Sequence, residues 1–137
     1  DITLKSVGKG LNGARVFVVG FAFKGEPETS DLRDSTTLWF LDELKKCTTE
    51  ITGFDPVVQR SDLVALGIKV SDPAEGFLGA DAVFIMNNHK SYLKWDLLRY
   101  LRSMKKPALF FDAWHLFQKN KFTDFQGIQY LSIGVGH

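Results

Sequence analysis

The residues with the clearest potential for chemistry lie between Arg15 and Ser35, where a charged loop joins a predicted buried strand to a predicted helix. The run from Val16 to Val19 is apolar and β-branched, which is typical of a strand buried on both faces of a parallel sheet. Lys24 follows this strand closely. A loop between a strand end and a helix N-terminus is a common place for α/β proteins to hold an anionic ligand.

Several polar side chains in this loop are candidates for binding or for holding the loop in shape. Lys24 is a candidate for contact with a ligand anion, and it also neutralises nearby acids. Asp31 and Arg33 are close enough to pair, and a planar guanidinium suits a carboxylate as well as a phosphate. The loop has four acids against two bases, which favours a structural role for this pair. Ser35 is predicted to cap the helix that begins at residue 36.

Two parts of the loop together resemble the signature of a known domain family. They read G-F-A-F-K, ending at Lys24, and T-S-D-L-R-D-S, ending at Ser35. This combination is similar to the motif of the C-terminal nucleotide-sugar-binding domain of the UDP-glucose/GDP-mannose dehydrogenase family. Ser30 stands where that family has an acid, and Asp34 where it usually has glutamate. Further matches extend over nearly the whole chain.

Four residues are candidates for substrate binding. Phe23 and Lys24 match the Phe-Lys pair that contacts the nucleotide part of the sugar nucleotide, and Arg33 is a further candidate. Trp114 stands where many members have an arginine that reaches the sugar nucleotide. The alternative interpretation is an aromatic interface in the C-terminal third, formed by Trp114, Phe117, Phe122 and Phe125.

Two aspartates follow predicted strands and are expected to shape their loops, as is Asp31. Asp55 precedes Pro56, which cannot continue a strand ladder, so a turn-forming role is predicted for Asp55. An acid near this position binds a ribose in ordinary dinucleotide-binding domains. The resemblance implies a domain that does not bind NAD, which favours the turn-forming role. Asp112 ends the fifth predicted strand.

The remaining reactive side chains give little sign of catalysis or of metal binding. His89 is a lone histidine at a strand end, and most such histidines form local hydrogen bonds. Cys47 follows the first helix and is expected to be a structural thiol. The three histidines are far apart in sequence and there is no Cys-x-x-Cys, so no metal site is predicted. No catalytic residue is predicted in this chain.

The order of elements predicts an α/β fold: a doubly wound, Rossmann-like, mostly parallel six-stranded sheet with helices on both faces. The predicted strands cover residues 16–20, 50–54, 68–71, 82–86, 107–111 and 129–133, and the predicted helices cover 36–46, 60–66, a stretch from 72, and 94–103. In such a sheet the loops after strands one, two, four and five share one edge. Lys24, Asp55, His89 and Asp112 are therefore expected to lie along that edge.

The first loop does not carry a dinucleotide fingerprint, because it reads G-F-A-F-K-G and not G-x-G-x-x-G. The resemblance then implies that NAD is bound by an N-terminal domain outside this chain. Residues 1–13 are expected to be a connector from that N-terminal half, and residues 14–137 the nucleotide-sugar-binding domain.

By resemblance, the whole enzyme would be an NAD-dependent nucleotide-sugar 6-dehydrogenase that oxidises a sugar C6 alcohol to a uronic acid for polysaccharide biosynthesis. Its expected partners are a UDP-sugar, the N-terminal domain and, in the full-length form, further copies of itself. The chain alone is expected to be inactive. The alternative is a non-catalytic, flavodoxin-like interaction or signalling domain, although the acidic pair expected after strand one of a signalling domain is absent from the sequence.

Composition sets outer bounds on this interpretation. A length of 137 residues with 45% hydrophobic residues is enough for one domain with a core. A net charge of +1 gives no basic field for nucleic acid, and no apolar run approaches the length of a membrane span. A single cysteine fits a reducing, cytoplasmic environment.

Overall fold

A computed structural model of the chain describes residues 13–22, 36–123 and 125–132. Strands and helices alternate along these residues. The strands are β1 (Val16–Val19), β2 (Ile51–Phe54), β3 (Lys69–Val70), β4 (Ala82–Ile85), β5 (Ala108–Asp112) and β6 (Ile128–Ser132). The helices are α1 (Thr36–Lys45), α2 (Arg60–Ala65), α3 (Pro73–Phe77) and α4 (Leu97–Ser103), and short 3-10 helices cover Lys90–Lys94 and Lys119–Lys121.

All six strands form one parallel sheet in the order β3-β2-β1-β4-β5-β6. Val16 in β1 pairs with Ile51 in β2 on one side and with Ala82 in β4 on the other. The winding of the chain therefore changes direction between β1 and β4, which makes this pair the topological switch point of the sheet. The predicted α/β, doubly wound fold is confirmed.

The sheet is covered on both faces, and β1 and β4 are buried along their whole length. Because successive side chains of a strand point to opposite faces, β1 contributes to two separate apolar clusters. Val16 and Val18 pack in one cluster with Leu41 of α1. Phe17 and Val19 belong to the other cluster. Continuous apolar strands of this kind are typical of parallel sheets with helices on each side.

The second cluster is rich in aromatic side chains. Phe77 of α3 lies against several rings, with ring centroids 5.6 Å from Phe17 and 6.2 Å from Phe110. Phe117 and Phe122 are buried there as well. These two phenylalanines of the C-terminal third therefore belong to the core of the domain and not to an external aromatic interface.

Some element boundaries differ from the sequence prediction for local reasons. Helix α4 begins at Leu97 and not at residue 94, because Lys90–Lys94 forms a 3-10 helix and Trp95 is extended. Strand β5 begins at Ala108, after Pro107, which has no backbone N–H to donate. Helix α3 begins at Pro73 directly after Asp72, as predicted.

None of the helices in the described residues is long and apolar enough to cross a membrane.

Candidate functional site

The carboxyl ends of β1, β2, β4 and β5 lie at the same edge of the sheet, because all four strands run in the same direction. Asp55, Asn87, His89 and Asp112 are at or just beyond these strand ends. The edge predicted from the sequence is thus present in the described residues. Five of the predicted site residues, and residues 1–12, lie outside the described part of the chain. The five are Phe23, Lys24, Asp31, Arg33 and Ser35.

At the switch point, Gly20 and Asn87 fit closely together. Gly20 has a φ of +93°, and a Cβ atom added to it would lie 2.5 Å from Asn87 Oδ1 and 2.7 Å from Asn87 N. A residue with a side chain would be strained there by its backbone conformation and would overlap Asn87. Thr37, in the first turn of α1, donates its hydroxyl to Gly20 O at 2.7 Å. The start of the first loop is therefore held from the β4 side and from the α1 side.

Asp55 links the β2 loop to the β1 loop. Its Oδ1 accepts hydrogen bonds from Val57 N at 2.8 Å and Val58 N at 3.0 Å, which closes its own turn. Its Oδ2 accepts from Phe21 N at 2.8 Å and Ala22 N at 3.1 Å. Asp55 is only 7% exposed. Asp55 therefore bonds to its own turn, where a turn-forming role was predicted for it, and also to a second loop.

Asn87 and Tyr92 extend this network below the edge of the sheet. Asn87 Nδ2 lies 3.4 Å from Asp55 Oδ2, and the Tyr92 hydroxyl donates to Asn87 Oδ1 at 2.6 Å. Burial, followed by the negative charge of Asp55, holds the pKa of Tyr92 well above its usual value of 10.0. Tyr92 therefore stays a neutral donor, and it fixes which way the Asn87 amide points.

Three residues of this network were not predicted from the sequence: Thr37, Asn87 and Tyr92. Asn87 carried a weak signal, because it is polar and lies two residues after the end of the buried strand β4. The hydroxyl of Tyr92 had no local signal, since its acceptor is set by the packing of the 3-10 helix Lys90–Lys94 beneath β4. Thr37 lies one residue inside a predicted helix, where its contact with the β1 turn depends on tertiary structure.

Asp112 organises the other side of the edge. It is fully buried, and it accepts hydrogen bonds from Trp114 N at 3.2 Å and Phe117 N at 2.8 Å. The Tyr130 hydroxyl, from β6, lies 2.8 Å from both Asp112 Oδ2 and Phe117 O. Burial, together with the hydrogen bond and charge of Asp112, raises the pKa of Tyr130. Asp112 thus accepts two hydrogen bonds from the loop after β5, the loop that it was predicted to shape.

Trp114 is the one predicted substrate-binding residue that lies within the described part of the chain. Its Nε1–H donates to Met86 O at 3.1 Å, which fixes the partly exposed indole beside the end of β4. Because an indole has one hydrogen-bond donor and no acceptor, Trp114 can offer a ligand only the surface of its ring.

His89 and Cys47 have local structural contacts. His89 Nδ1 accepts a hydrogen bond from Ser91 N at 3.1 Å and lies 2.8 Å from Ser91 Oγ, so its side chain caps the 3-10 helix Lys90–Lys94. Cys47 is partly buried, with Sγ 3.8 Å from Glu43 O. Within residues 13–22, 36–123 and 125–132, no three side chains of His, Cys, Asp or Glu are grouped as a metal site would require.

The described part of the β1 turn does not fit the pyrophosphate of NAD. A dinucleotide-binding turn directs free backbone N–H groups at the ligand and leaves bare backbone beside them. Here the N–H groups of Phe21 and Ala22 donate to Asp55, and Asn87 fills the space beside Gly20. The arrangement agrees with the absence of a G-x-G-x-x-G sequence.

Comparison with protein families and with curated proteins gives consistent matches. The model of the UDP-glucose/GDP-mannose dehydrogenase family, UDP binding domain, matches residues 17–119. A UDP-glucose 6-dehydrogenase of Rhizobium meliloti is 29% identical over 133 residues, covering 96% of this chain and 30% of that protein. The UDP-glucose 6-dehydrogenase of Bos taurus is 30% identical over 114 residues, covering 72% of this chain and 23% of that protein. The chain spans less than a third of the length of these relatives.

Solved structures of similar fold agree with the architecture described above. A UDP-D-ManNAc dehydrogenase from Pyrococcus horikoshii matches with a TM-score of 0.76 at 23% identity, over 98% of this chain and 29% of that chain. An NDP-N-acetyl-D-galactosaminuronic acid dehydrogenase from Methanosarcina mazei Go1 matches with a TM-score of 0.76 at 21% identity, over 97% of this chain and 27% of that chain. At these identities the likeness establishes the fold.

Proposed function

The chain belongs to the UDP-glucose/GDP-mannose dehydrogenase family and corresponds to its C-terminal, UDP-binding domain, and we propose that it binds the nucleotide-sugar substrate of an NAD-dependent UDP-sugar 6-dehydrogenase. The observation that carries the proposal is the family match over residues 17–119, which includes the switch point between β1 and β4. Open α/β sheets bind their ligands in the crevice at such a point. The family match gives no support to a flavodoxin-like signalling domain.

In the proposed enzyme, this domain binds substrate and another part of the protein carries the chemistry. Residues 1–13 connect the two parts, and residues 14–137 form the binding domain. The N-terminal part would bind NAD and oxidise the C6 alcohol of the sugar to a carboxylate, consuming two NAD. The poor fit of the β1 turn to a pyrophosphate supports this division. We also propose a cytoplasmic location, a homo-oligomeric enzyme and a role in polysaccharide biosynthesis.

The proposed contacts to the nucleotide lie along the first loop and beside β4. Lys24 supplies a cation for the phosphates, and Phe23 contacts the base or the ribose. Arg33 either binds the substrate or pairs with Asp31 to hold the loop. Trp114 forms one wall of the crevice through its ring, with its Nε1–H already bound to Met86 O. No charged contact comes from that position, so the phosphates depend more heavily on Lys24.

Titration of the 137-residue chain with UDP, followed by NMR chemical shifts or calorimetry, tests this proposal. We expect a dissociation constant in the millimolar range, since the partner domain that would bury the sugar is not included. A hydrogen bond to a charged group contributes about 1.5–3 kcal/mol, so Lys24→Ala should weaken binding roughly ten-fold or more. Lys69→Ala removes the same charge from β3, away from the switch point, and serves as the matched control.

Two results would contradict the proposal at different levels. A dissociation constant of about 1 mM corresponds to a binding free energy of roughly −4 kcal/mol. If the wild-type chain shows no response to several millimolar UDP, the 137-residue chain alone is not a binding module. If the wild type responds and Lys24→Ala responds equally, the site exists but Lys24 is not its cation.

A further inference from the structure

We propose that Asp55 is a built-in anionic ligand of the β1 turn: it occupies the first two backbone N–H groups of the nucleotide-binding loop, holds the root of that loop in place, and keeps the phosphates of the substrate away from those groups. The substrate's diphosphate is then bound by side chains such as Lys24. The inference deepens the proposed function and rests on it, because it assigns a positioning residue to the same site.

The direction in which Asp55 points is the first observation. In dinucleotide-binding domains, an acid after the second strand binds a ribose, and the N–H groups of the first turn face the pyrophosphate. In this chain the acid after β2 turns toward β1, with Oδ2 at 2.8 Å from Phe21 N and 3.1 Å from Ala22 N. The Asp55 carboxylate therefore occupies the N–H groups that would face a pyrophosphate. The same bonds turn it away from the role of binding a ribose.

The number of hydrogen bonds at Asp55 is the second observation. A carboxylate has about four lone-pair sites for hydrogen bonds. Asp55 accepts four hydrogen bonds from backbone N–H groups, two at each oxygen. A fifth donor, Asn87 Nδ2, lies 3.4 Å from Oδ2. Its acceptor capacity is thus used within the protein. A ribose hydroxyl has no site left on this carboxylate.

The supports around the turn are the third observation. Phe21 and Ala22 directly precede the Phe23-Lys24 pair in the sequence. The crowded, positive-φ conformation of Gly20 fixes the residue before them. Fixing the residues that lead into the proposed site lowers the conformational entropy that binding costs, and this raises affinity. Asp55 therefore acts on the substrate through the loop and does not touch it.

The first experiment compares UDP binding by Asp55→Asn with binding by the wild-type chain. Asparagine keeps the size of the side chain but loses the charge and one acceptor oxygen. We expect the dissociation constant to rise by about five-fold or more at a temperature where both proteins are folded. Met104→Ala, which removes buried atoms at the end of α4, controls for lower stability alone and should leave the dissociation constant unchanged. Equal affinities of Asp55→Asn and wild type would overturn the positioning role.

The second experiment needs no nucleotide. Asp55→Ala vacates the N–H groups of the β1 turn, and formate or inorganic phosphate should bind there and raise its thermal midpoint in a concentration-dependent way. Chloride at matched ionic strength, and formate with the wild-type chain, should give no such rise. Failure of formate and phosphate to act beyond chloride would overturn the internal-ligand claim. If Asp55→Ala does not fold alone, refolding with and without formate gives the same decision.

The two experiments distinguish failure of the inference from failure of the proposed function. A wild-type chain that does not bind UDP would contradict the proposed function, while anion rescue of Asp55→Ala would still establish Asp55 as the ligand of the turn. A wild-type chain that binds UDP, paired with an Asp55→Asn variant of equal affinity, would contradict only the inference.

Discussion

Asp55 and Asp112 are two buried aspartates at the carboxyl ends of parallel strands, and they stabilise the same edge of the sheet in different ways. Asp55 bonds to backbone N–H groups 33 and 34 residues earlier in the chain, on the neighbouring strand β1. Asp112 bonds to N–H groups two and five residues later, in its own loop, and to the hydroxyl of Tyr130. The first aspartate joins two loops, and the second closes one.

The difference follows from where the two strands lie. Strand β2 is next to β1 at the switch point, so an acid at its end reaches the loop that leads into the proposed nucleotide site. Strand β5 lies between β4 and β6, and Asp112 is bonded on the β6 side. Similar residue types at equivalent strand ends can therefore serve the ligand loop in one case and local stability in the other.

The largest effect is expected from Asp112→Ala. The change leaves the N–H groups of Trp114 and Phe117 without their buried acceptor, and hydrogen bonds to a charged group contribute about 1.5–3 kcal/mol each. Urea denaturation should show a loss of about 3–6 kcal/mol in the free energy of unfolding. Asp112→Asn, which retains an acceptor, should lose clearly less. Equal losses in the two variants would mean that the hydrogen bonds are not what Asp112 contributes.

A somewhat smaller effect is expected from Gly20→Ala, which changes the turn that follows β1 and lies beside Asp55. A left-handed backbone costs a residue with a side chain about 1–2 kcal/mol, and overlap with Asn87 adds about 1–3 kcal/mol. We therefore expect a loss of about 2–5 kcal/mol, with NMR shift changes centred on β1 and β4. Gly13→Ala shares the positive φ but meets no atom within 4 Å, so it reports the backbone cost alone. Similar losses in both variants would show that Asn87 yields without cost.

The smallest effect is expected from the two buried tyrosines, one beside each aspartate. The pKa values of Tyr92 and Tyr130 are raised in the folded chain, while an unfolded tyrosine ionises near pH 10. Above about pH 10 the unfolded state therefore binds fewer protons than the folded state, and stability falls as pH rises, by at most ~1.4 kcal/mol per pH unit for each tyrosine. Below that pH these groups add no pH dependence.

Urea melts at pH 8 and pH 11 on wild type, Tyr92→Phe and Tyr130→Phe test this dependence. Each phenylalanine variant should lose about 1–2 kcal/mol at pH 8 through the missing hydroxyl, but should then lose less between the two pH values than the wild type does. An alkaline loss as large as that of the wild type in both variants would contradict the assignment.

The sequence was sufficient for the order and the type of the elements. The apolar run of β1 and the alternation of strands with helices predicted a parallel, doubly wound sheet, because burial on both faces leaves a continuous apolar pattern. The absence of G-x-G-x-x-G excluded a dinucleotide fingerprint before any geometry was known. The motif around Lys24 led to the family that the match over residues 17–119 then established. These signals are local, so one sequence contains them.

Tertiary structure alone decided which groups are hydrogen-bonded to each other at the edge of the sheet. The sequence placed Asp55 in a turn, but its bonds to Phe21 and Ala22 depend on β2 lying beside β1. The bond from Trp114 Nε1 to Met86 O likewise spans 28 residues and requires β4 and β5 to be neighbours. Hydrogen-bond partners of this kind are set by strand order and register, and the periodicity of a single segment carries no information about either.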